Sequence, residues 1–419
     1  MPRVTVFTPS HHDRFLDDAC ASLLAQTYDD FEWVVLRNHG NPWTPNGEDQ
    51  RIKIIDAPSG LNGVGPLKRM ACEHASGEFL VELDHDDILS KNALERVVET
   101  FDANPDSGMV YSHTAQINDD LSRNEDMFNP AIGWVYRDVD VDGTTYLQFD
   151  SFLPYPSNIG YIWFSPNHVR AFRRSTYLEV GGYDESLDVL DDQDLMCRLY
   201  QHSAFTLIDE CLYLQRVHRG NTQSDPEINA RIQRETVRLY DNYIEGNALA
   251  HARRSGLLAL DLGAAHNRPD GYLGVDLRAG ETVDIVADLR QGIDLPDSSV
   301  GVIRAVDFLE HIPDKVAIMN ECYRLLAHGG MLLTLTPSTD GRGAFQDPTH
   351  VSFYNENSFW YFVNREYAKY VPEINCRFQM SRSVTFAPNE WHELHNILYV
   401  NANMIAIKDG PRLGGELLI

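Results

Sequence analysis

Long apolar runs, paired cysteines and an excess of basic residues are all missing from this sequence. No stretch is long and apolar enough to span a bilayer, so we predict no transmembrane segment. The six cysteines lie far apart without a Cys-x-x-Cys pair, which disfavours a zinc ribbon or a disulfide framework and favours a reducing compartment. The net charge of -27 disfavours nucleic acid and anionic membranes as partners.

The amino terminus, "MPRVTVFTPS", enters a predicted strand directly, which predicts that no signal peptide is present. Together with the cysteine usage, this predicts a cytoplasmic protein. With 419 residues the chain is too long for one hydrophobic core. We predict two domains, at 1–250 and 251–419. No pattern in the sequence indicates an oligomeric state.

Short predicted strands alternate with predicted helices in the first domain. We predict strands at "RVTVFTP", "FEWVVLRN", "RIKIIDAP" and "GEFLVELD", and helices at "DRFLDDACASLLAQTY" and "GPLKRMACEHAS". This alternation predicts an α/β fold with a mostly parallel sheet that is covered on both faces. We predict irregular structure over 118–162 and a connector at "NALAHARRSG". A second alternation of strands and helices begins after it, at "LLALDLGAAHN".

Three carboxylates crowd together at the end of a predicted strand, in "GEFLVELDHDDILS". Asp84, Asp86 and Asp87 fall within four residues, and like charges this close raise one another's pKa unless a positive charge lies between them. One interpretation is a solvated turn that caps the next helix. The other is a site for Mg²⁺ or Mn²⁺, because Asp84 and Asp86 can reach one hard cation from a turn.

Four separated segments resemble the family 2 glycosyltransferases, which have the GT-A fold. They are the strand, loop and helix of "VTVFTPSHHDRFLDDACASLLAQTYDDFEWVVL", the Asp-His-Asp run, "FRRSTYLEVGGYDESLDVLDDQDLMCRLY" and "RVHRGNTQ". The resemblance covers roughly the first 220 residues, and four ordered segments are far more specific than one motif. It implies the transfer of a sugar from a nucleoside diphosphate sugar to an acceptor hydroxyl, with inversion at the anomeric carbon.

The resemblance also implies roles for individual acids. Asp84 and Asp86 would hold the divalent ion. His218 would be either a further ligand, which would favour Mn²⁺ over Mg²⁺, or a structural histidine, and the sequence does not separate the two. Asp192 would be the general base and Asp191 its neighbour in the same pair, and nearby carboxylates would raise the pKa of Asp192 towards a useful value. The alternative is that these acids only face the dipole at a helix amino terminus.

Residues that match the nucleotide-contacting positions of the family are spread over several segments. Besides Asp84, they are Thr8, Pro9, Ser10, Asn38, Lys68 and Arg69. The two cations would suit a diphosphate, although a role as helix-surface charges is equally compatible with the sequence. Asn38 stands where the family often has an Asp that contacts uracil. A UDP-sugar remains the default donor.

The second alternation resembles the class I S-adenosylmethionine-dependent methyltransferases, a Rossmann-like fold. "LLALDLGAAHNRPDGYLGVDL" has a strand, a glycine turn and a second strand ending in an acid. It is followed in the family's order by a Leu-Glu-His-Ile segment and an Arg-Leu-Leu-x-x-Gly-Gly turn, so the match spans 257–365. Ala264 and Ala265 depart from the family's glycine-rich loop, because their methyl groups stand where the backbone should approach the cofactor.

This resemblance implies cofactor-binding positions at Asp261, Gly263, Asp276, Asp288, Leu289 and Asp307. Gly263 would approach the methionine part, Asp276 would bind the ribose, and Asp288 with Leu289 would lie beside the adenine. Methyl transfer to a sugar hydroxyl also needs a base, for which His350 is the first candidate and His311 the second. A role as a hydrogen-bonded core residue is the alternative for each histidine.

The two resemblances together predict a bifunctional enzyme. Its first domain would add a sugar to a glycan or other hydroxyl acceptor, and its second would methylate the product with S-adenosylmethionine. Joining the two on one chain raises the effective concentration of the intermediate. Two alternatives stay open: a methyltransferase-like domain that serves as an inactive scaffold or acceptor-binding module, and a first domain that only binds glycan.

Overall fold

The chain divides into two compact units, each with its own β-sheet. The computed structural model describes residues 1–162, 165–218, 220, 225–265 and 267–408. The first unit comprises 1–154 and 158–243, and the second comprises 155–157 and 244–419. The division falls within a helix, close to the predicted boundary, and that boundary stays a prediction.

The sheet of the first unit has ten strands in the described residues. In chain order they are β1 Val4–Ser10, β2 Phe31–Arg37, β3 Ile52–Asp56, β4 Phe79–Glu82, β5 Ile88–Leu89, β6 Ser107–Ile117, β7 Tyr136–Val141, β8 Thr144–Phe149, β9 Arg170–Arg173 and β10 Ala204–Arg216. Eight lie in the order β3-β2-β1-β4-β9-β6-β10-β5. The pairs among β1, β2, β3 and β4 are parallel, whereas β9 runs antiparallel to both β4 and β6. The sheet is therefore mixed, and its parallel part lies where the strand–helix alternation predicts it.

Helices cover both faces of this sheet. They are α1 Leu16–Leu24, α2 Val64–Glu73, α3 Ala93–Ala103, α4 Arg174–Glu179 and α5 Asp191–His202. Leucine and alanine side chains of α1 and α3 pack in one core, and those of α2 and α5 pack in another. The central strands β1 and β4 contribute side chains to both cores, so they are buried almost throughout. Strands covered on both faces typically have few polar residues.

Part of the segment predicted to be irregular forms a β-hairpin instead. β7 and β8 pair in antiparallel register, with Val141 opposite Thr144. Asp142 and Gly143 form the two-residue turn with positive φ angles of 55° and 89°. An Asp-Gly pair between strands is the preferred chemistry for such a turn, so the sequence contained a signal that the weak apolar pattern around it obscured.

The second unit contains a seven-stranded mixed sheet. Its strands are β11 Leu258–Leu262, β12 Leu273–Asp276, β13 Ile285–Val286, β14 Val300–Val306, β15 Leu326–Pro337, β16 Phe378–Phe386 and β17 Tyr399–Ala406. They lie in the order β13-β12-β11-β14-β15-β17-β16, parallel up to β15 and antiparallel at the last two. Strand order reverses between β11 and β14, so ligand binding is expected at the carboxyl ends of these two strands.

The remaining helices belong mostly to the second unit. They are α6 Pro226–Arg254, α7 Lys315–Leu325, α8 Gly343–Gln346, α9 Trp360–Val363, α10 Arg365–Ala368 and α11 Glu390–Leu394. The predicted connector at "NALAHARRSG" is wrong, because α6 continues through Asn247 to Arg254. Three of these residues are alanines, the strongest helix former, and Ala248 and Ala252 are fully buried. Gly256, with a φ of 66°, follows the helix end.

All six cysteines are free and buried. They are Cys20, Cys72, Cys197, Cys211, Cys322 and Cys376. The structure thus agrees with the absence of a disulfide framework. Among the described residues, no helix combines the length and the apolar character that crossing a bilayer requires. The predicted cytoplasmic location stays a prediction.

Gly274 provides a test of the packing of the second sheet. A Cβ at this position would lie 2.0 Å from the Thr282 carbonyl oxygen and 2.9 Å from the Ala264 methyl group. We expect Gly274→Ala to lower the free energy of unfolding of the second unit by about 1–3 kcal/mol, because neighbouring backbone must shift. Gly280→Ala is the matched control, since its nearest neighbour would be a Val283 methyl at 3.6 Å. Equal denaturant midpoints for the two variants would contradict the expectation.

Candidate functional site

A cleft of about 330 Å³ opens at the carboxyl ends of β1 and β4 and faces the amino terminus of α5. Most of the residues predicted for the first site line it, together with several histidines. The lining includes Pro9, Ser10, His11, His12, Asn38, Lys68, Asp84, His85, Asp86, Asp87, His168, Arg170, Asp188, Asp191, Asp192, Gln193, Gln215 and His218. The structure therefore brings together acids that are separated by more than 100 residues in sequence.

The centre of the cleft wall is a buried lysine between two acids. The Lys68 Nζ lies 2.5 Å from Glu82 Oε1 and 3.3 Å from Asp191 Oδ2. Burial would lower the pKa of Lys68, but the charges of Asp191, Glu82 and Asp84 outweigh it and raise that pKa well above its usual range. Lys68 is therefore a permanent cation that ties α2 to β4 and α5.

The predicted general base is paired with an arginine. Arg170 Nη1 donates to Asp192 Oδ2 at 2.5 Å, and the arginine side chain is almost completely buried. Burial would raise the pKa of Asp192, but Arg170 and Lys68 outweigh it and hold that pKa well below its usual range. The expectation of a raised pKa is therefore wrong for Asp192. For the neighbouring Asp191, for which no pKa shift was predicted, burial raises the pKa to about 6.

The three acids after β4 have different environments. Burial raises the pKa of Asp84 to about 7, and the nearby Glu82 and Asp86 carboxylates add to the effect. For Asp86, burial acts in the same direction, but the His218 hydrogen bond and the charge of His85 outweigh it and lower the pKa. Asp87 accepts from the Arg216 backbone N–H at 2.7 Å, so it fixes the end of β10.

The His218 ring is oriented by its two neighbours. Its Nδ1 accepts from the Gly220 N–H at 3.0 Å, so the neutral ring carries its hydrogen on Nε2, which lies 2.9 Å from Asp86 Oδ2. In this arrangement His218 donates to Asp86 and does not offer it a lone pair. Its role as a metal ligand, which would require the other tautomer, stays a prediction.

The acidic pair at the end of β4 fits a hard divalent cation by its donor chemistry. Two carboxylates within three residues suit Mg²⁺ or Mn²⁺, and burial, with the neighbouring Glu82 and Asp86 carboxylates, raises the pKa of Asp84, so a positive charge beside it would favour its ionised form. Among the described residues, two groups of three possible ligands lie within 4.8 Å of one another, and neither includes these acids. The groups are His11–His12–His85 and Glu310–His311–His350. Binding of one ion by Asp84, Asp86 and His218 together would therefore need these side chains to move.

The other predicted nucleotide contacts fall into two classes. Pro9, Ser10 and Asn38 line the cleft, and Asn38 Oδ1 is buried without a hydrogen-bond partner among the described residues. Thr8 is fully buried and does not line it, because its hydroxyl donates to the Leu83 carbonyl and accepts from the Trp33 indole. Arg69 is also outside the lining.

The reason for the placement of Arg69 is helix geometry. Successive residues on α2 point about 100° apart, so Lys68 and its neighbour cannot face the same cleft. The Arg69 guanidinium donates to the carbonyl oxygens of Gly181 and Tyr183 at 2.8 Å and 2.9 Å. Of the two interpretations of this arginine, the structure favours the charge on the helix surface.

Arg170 and His168 are among the buried residues of the cleft that were not predicted. Arg170 lies opposite Glu82 in the pairing of β4 with β9. A glutamate inside an apolar strand needs a positive neighbour, and that requirement was the available signal. His168 has both ring nitrogens buried without hydrogen-bond partners in the described part of the chain. No periodicity marks it, because it lies just before a short strand.

In the second unit, the predicted cofactor positions lie at the carboxyl edge of the sheet. Gly263 follows β11 with a φ of 81°, and its N–H donates to the Val275 carbonyl at 2.9 Å. Ala264 is fully buried, with its methyl group against Gly274. The methyl group therefore packs on the neighbouring strand, which removes the objection to cofactor binding that the sequence raised at this position. Asp276 ends β12 beside this turn.

Three further cofactor positions are engaged within the protein. The buried Asp261 accepts from Arg304 Nη1 at 2.8 Å. Asp288 is paired with Arg290 at 2.7 Å, and Leu289 is 7% exposed and packs in the core. To contact the cofactor, these residues would have to move their side chains or use their backbone N–H and carbonyl groups. Their contacts with the cofactor stay predictions.

The acids and histidines after β14 form one group. Asp307 follows the strand with a φ of 48°, and burial raises its pKa. Glu310 and His311 lie in the 3-10 helix Leu309–His311, and the ring of His350 approaches that of His311 with centroids 5.1 Å apart. His350 Nδ1 lies 3.0 Å from the Ala344 carbonyl oxygen. The structure thus brings together both histidines named from the sequence.

Comparison with known proteins gives relatives for both units. Over 274 residues the chain is 23% identical to the chondroitin synthase of Pasteurella multocida (strain Pm70), covering 61% of this chain and 26% of that protein. Over 83 residues it is 32% identical to a Mycolicibacterium smegmatis protein named "Probable S-adenosylmethionine-dependent methyltransferase", covering 19% of this chain and 29% of that one. The crystal structure of S. aureus TarS 1-349 with UDP-GlcNAc has a TM-score of 0.43 at 16% identity, over 61% of this chain and 72% of that one.

The chain spans about a quarter of the length of relatives such as the chondroitin synthase. Residues 5–179 match the family described as "Glycosyl transferase family 2", and this stretch contains the Asp84–Asp87 segment and Arg170. Residues 263–334 match the family described as "Methyltransferase domain", from Gly263 to β15. Both resemblances and the α/β fold class are thereby confirmed. The chain contains a glycosyl transferase family 2 domain followed by a methyltransferase domain.

Proposed function

We propose that the first unit transfers a sugar from a nucleoside diphosphate sugar to a hydroxyl acceptor, with inversion, and that the second unit methylates the glycan product. The observation that carries the first part is the cleft in which the acids after β4 face the acids of α5 across Lys68. A UDP-sugar is the proposed donor by default. Pro9, Ser10 and Asn38 are the proposed nucleotide contacts.

In the proposed reaction, the acceptor hydroxyl attacks the anomeric carbon, its proton passes to Asp192, and the bond to the diphosphate breaks. Mg²⁺ or Mn²⁺ held by Asp84 and Asp86 would supply positive charge to the departing diphosphate. Arg170 keeps Asp192 ionised at neutral pH, so the carboxylate is ready to accept a proton. An anionic substrate that draws Arg170 away would raise the pKa of Asp192 and strengthen it as a base.

The proposed methyl transfer uses the carboxyl edge of the second sheet. S-adenosylmethionine would supply the methyl group from its sulfonium, with Gly263 and Asp276 as the proposed contacts to its methionine part and ribose. His350 stays the predicted group for the proton of the acceptor hydroxyl. The fully buried Ala264 methyl group, which packs away from the turn, supports cofactor binding. An inactive scaffold is the competing proposal.

Asp192→Asn tests the proposed base. A donor is first identified by the thermal shift that a panel of nucleoside diphosphate sugars produces with Mn²⁺. We then expect Asp192→Asn to lower kcat for sugar transfer, or for hydrolysis of the donor by water, by roughly 10²–10⁴-fold with little change in donor affinity. Asp188→Asn is the control, because Asp188 lines the same cleft but its side chain is 60% exposed. The assignment fails if both variants retain full activity.

The raised pKa of Asp84 predicts how metal-free stability depends on pH. Between about pH 4, near the usual pKa of Asp, and its folded pKa of about 7, Asp84 keeps its proton when folded and loses it when unfolded. Because the folded state then binds more protons at Asp84, the contribution of Asp84 to the stability of the first unit should fall as pH rises through this range. Burial lowers the pKa of His85 to about 4, which acts in the opposite direction, so the contribution of Asp84 is the difference between the wild type and Asp84→Asn. We expect Mn²⁺ to restore stability near and above pH 7.

Thermal unfolding in EDTA and in Mn²⁺, at a series of pH values, measures this effect. The melting temperature of the metal-free wild type minus that of Asp84→Asn should fall from pH 4 to 7, and Asp84→Asn should weaken the Mn²⁺ response, whereas Asp188→Asn should behave as the wild type. A difference that rises from pH 4 to 7 would contradict the proposal, as would an Asp84→Asn variant that keeps the full Mn²⁺ response.

Calorimetry with S-adenosylmethionine separates an active methyltransferase from a scaffold. We expect binding to the wild-type chain, weakened roughly 10–100-fold by Asp276→Ala, because a carboxylate that accepts from the ribose hydroxyls is lost. The exposed Asp270→Ala is the control. Absence of heat with the wild type would support the scaffold. If the cofactor binds, radiolabelled methyl groups should appear in the product of the first unit.

A further inference from the structure

Glu310, His311 and His350 form a compact set of possible metal ligands outside the glycosyltransferase cleft. Each offers one ligand atom, and the three atoms lie within 4.8 Å of one another. The set lies just beyond the carboxyl end of β14, at the edge where ligands bind in open α/β sheets.

Both histidines are held by backbone carbonyl groups. His311 Nδ1 lies 3.2 Å from the Thr349 carbonyl oxygen, and His350 Nδ1 lies 3.0 Å from that of Ala344. A carbonyl oxygen only accepts, so each Nδ1 carries the hydrogen and each neutral ring has its lone pair on Nε2. Orientation of one ring nitrogen by a carbonyl is the usual arrangement around a histidine that binds metal through the other.

The carboxylate of Glu310 supplies an independent observation. Glu310 is 2% exposed, and its Oε2 accepts from the Thr336 hydroxyl at 2.6 Å. Its Oε1 is buried and has no hydrogen-bond partner among the described residues. A buried, unpaired carboxylate oxygen is costly unless a cation or a donor satisfies it.

We propose that Glu310, His311 and His350 bind a divalent transition-metal ion. Two imidazole nitrogens and one carboxylate oxygen form a ligand set suited to Zn²⁺ and its borderline neighbours such as Co²⁺, and such a set leaves a position open for a further ligand. His311 is exposed, so the ion would be reachable from solvent.

A hydroxyl that binds such an ion loses its proton more readily than a free one. The site would therefore give the second unit a way to ionise an acceptor hydroxyl, whose proton would pass to solvent water at the exposed side of the site. His350 as a ligand holds the ion and does not itself take the proton, which replaces its predicted role as a base. The binding of the ion does not depend on the proposed transfer reactions, so the two can fail separately.

The test is a titration of the full, metal-free chain with Co²⁺, followed by calorimetry and by the visible absorption of the bound ion. We expect Glu310→Gln and His350→Asn each to weaken one binding event at least about tenfold, with loss of its absorption band. His85→Asn is the matched control, because it removes one member of the other histidine group and should leave this event unchanged. His311→Asn, at an exposed position, guards against misfolding of the buried variants.

Unfolding temperature and circular dichroism show whether each variant is folded. Wild-type stoichiometry and affinity in folded Glu310→Gln and His311→Asn would overturn the proposal. Loss of the Co²⁺ band only in His85→Asn would overturn it as well, because the ion would then belong to the first unit. If no ion binds, the pH dependence of methyl transfer in the wild type and in His350→Asn would show whether His350 acts as the base.

Discussion

The buried ammonium of Lys68 is the contact on which the first site depends. It lies between Glu82, inside β4, and Asp191, at the start of α5. Without it, two carboxylates would be buried together with no charge between them, and removal of one partner from a buried pair typically costs several kcal/mol, about 3–5. Because Asp84 follows β4 and Asp192 follows Asp191, this ion pair also helps to set the separation of the two acidic segments that line the cleft.

The two units place their polar groups by the same rule. In each, apolar strands fill the core, and the first residues after those strands include residues of the proposed sites: Asp84 after β4, Gly263 after β11 and Asp307 after β14. The local charge differs, however. The cleft of the first unit holds buried cations among its acids, whereas the acids and histidines after β14 have no such cation in their hydrogen-bonded contacts among the described residues.

Much of this could be read from sequence, since strand ends are local features. The run from Phe79 to Asp87 predicted a strand and an acidic turn. The order of the matching segments along the chain indicated the two family resemblances. The features that the sequence did not predict depend on pairing between strands that are distant in the chain. The register of β4 with β9 places Arg170 at Glu82 and so reverses the expected pKa shift of Asp192. Likewise, the tautomer of His218 depends on the backbone of Gly220.

All six thiols are buried, so their reaction with a reagent in solution reports when the surrounding structure unfolds. Four cysteines lie in the first unit and two, Cys322 and Cys376, in the second. Burial raises the pKa of five of these thiols, so the reactive thiolate is scarce while the protein stays folded. They are Cys20, Cys72, Cys211, Cys322 and Cys376. An alkylating reagent would consequently mark each unit at the rate at which that unit opens. Mass analysis of the labelled peptides would time the two events separately on one unmodified molecule.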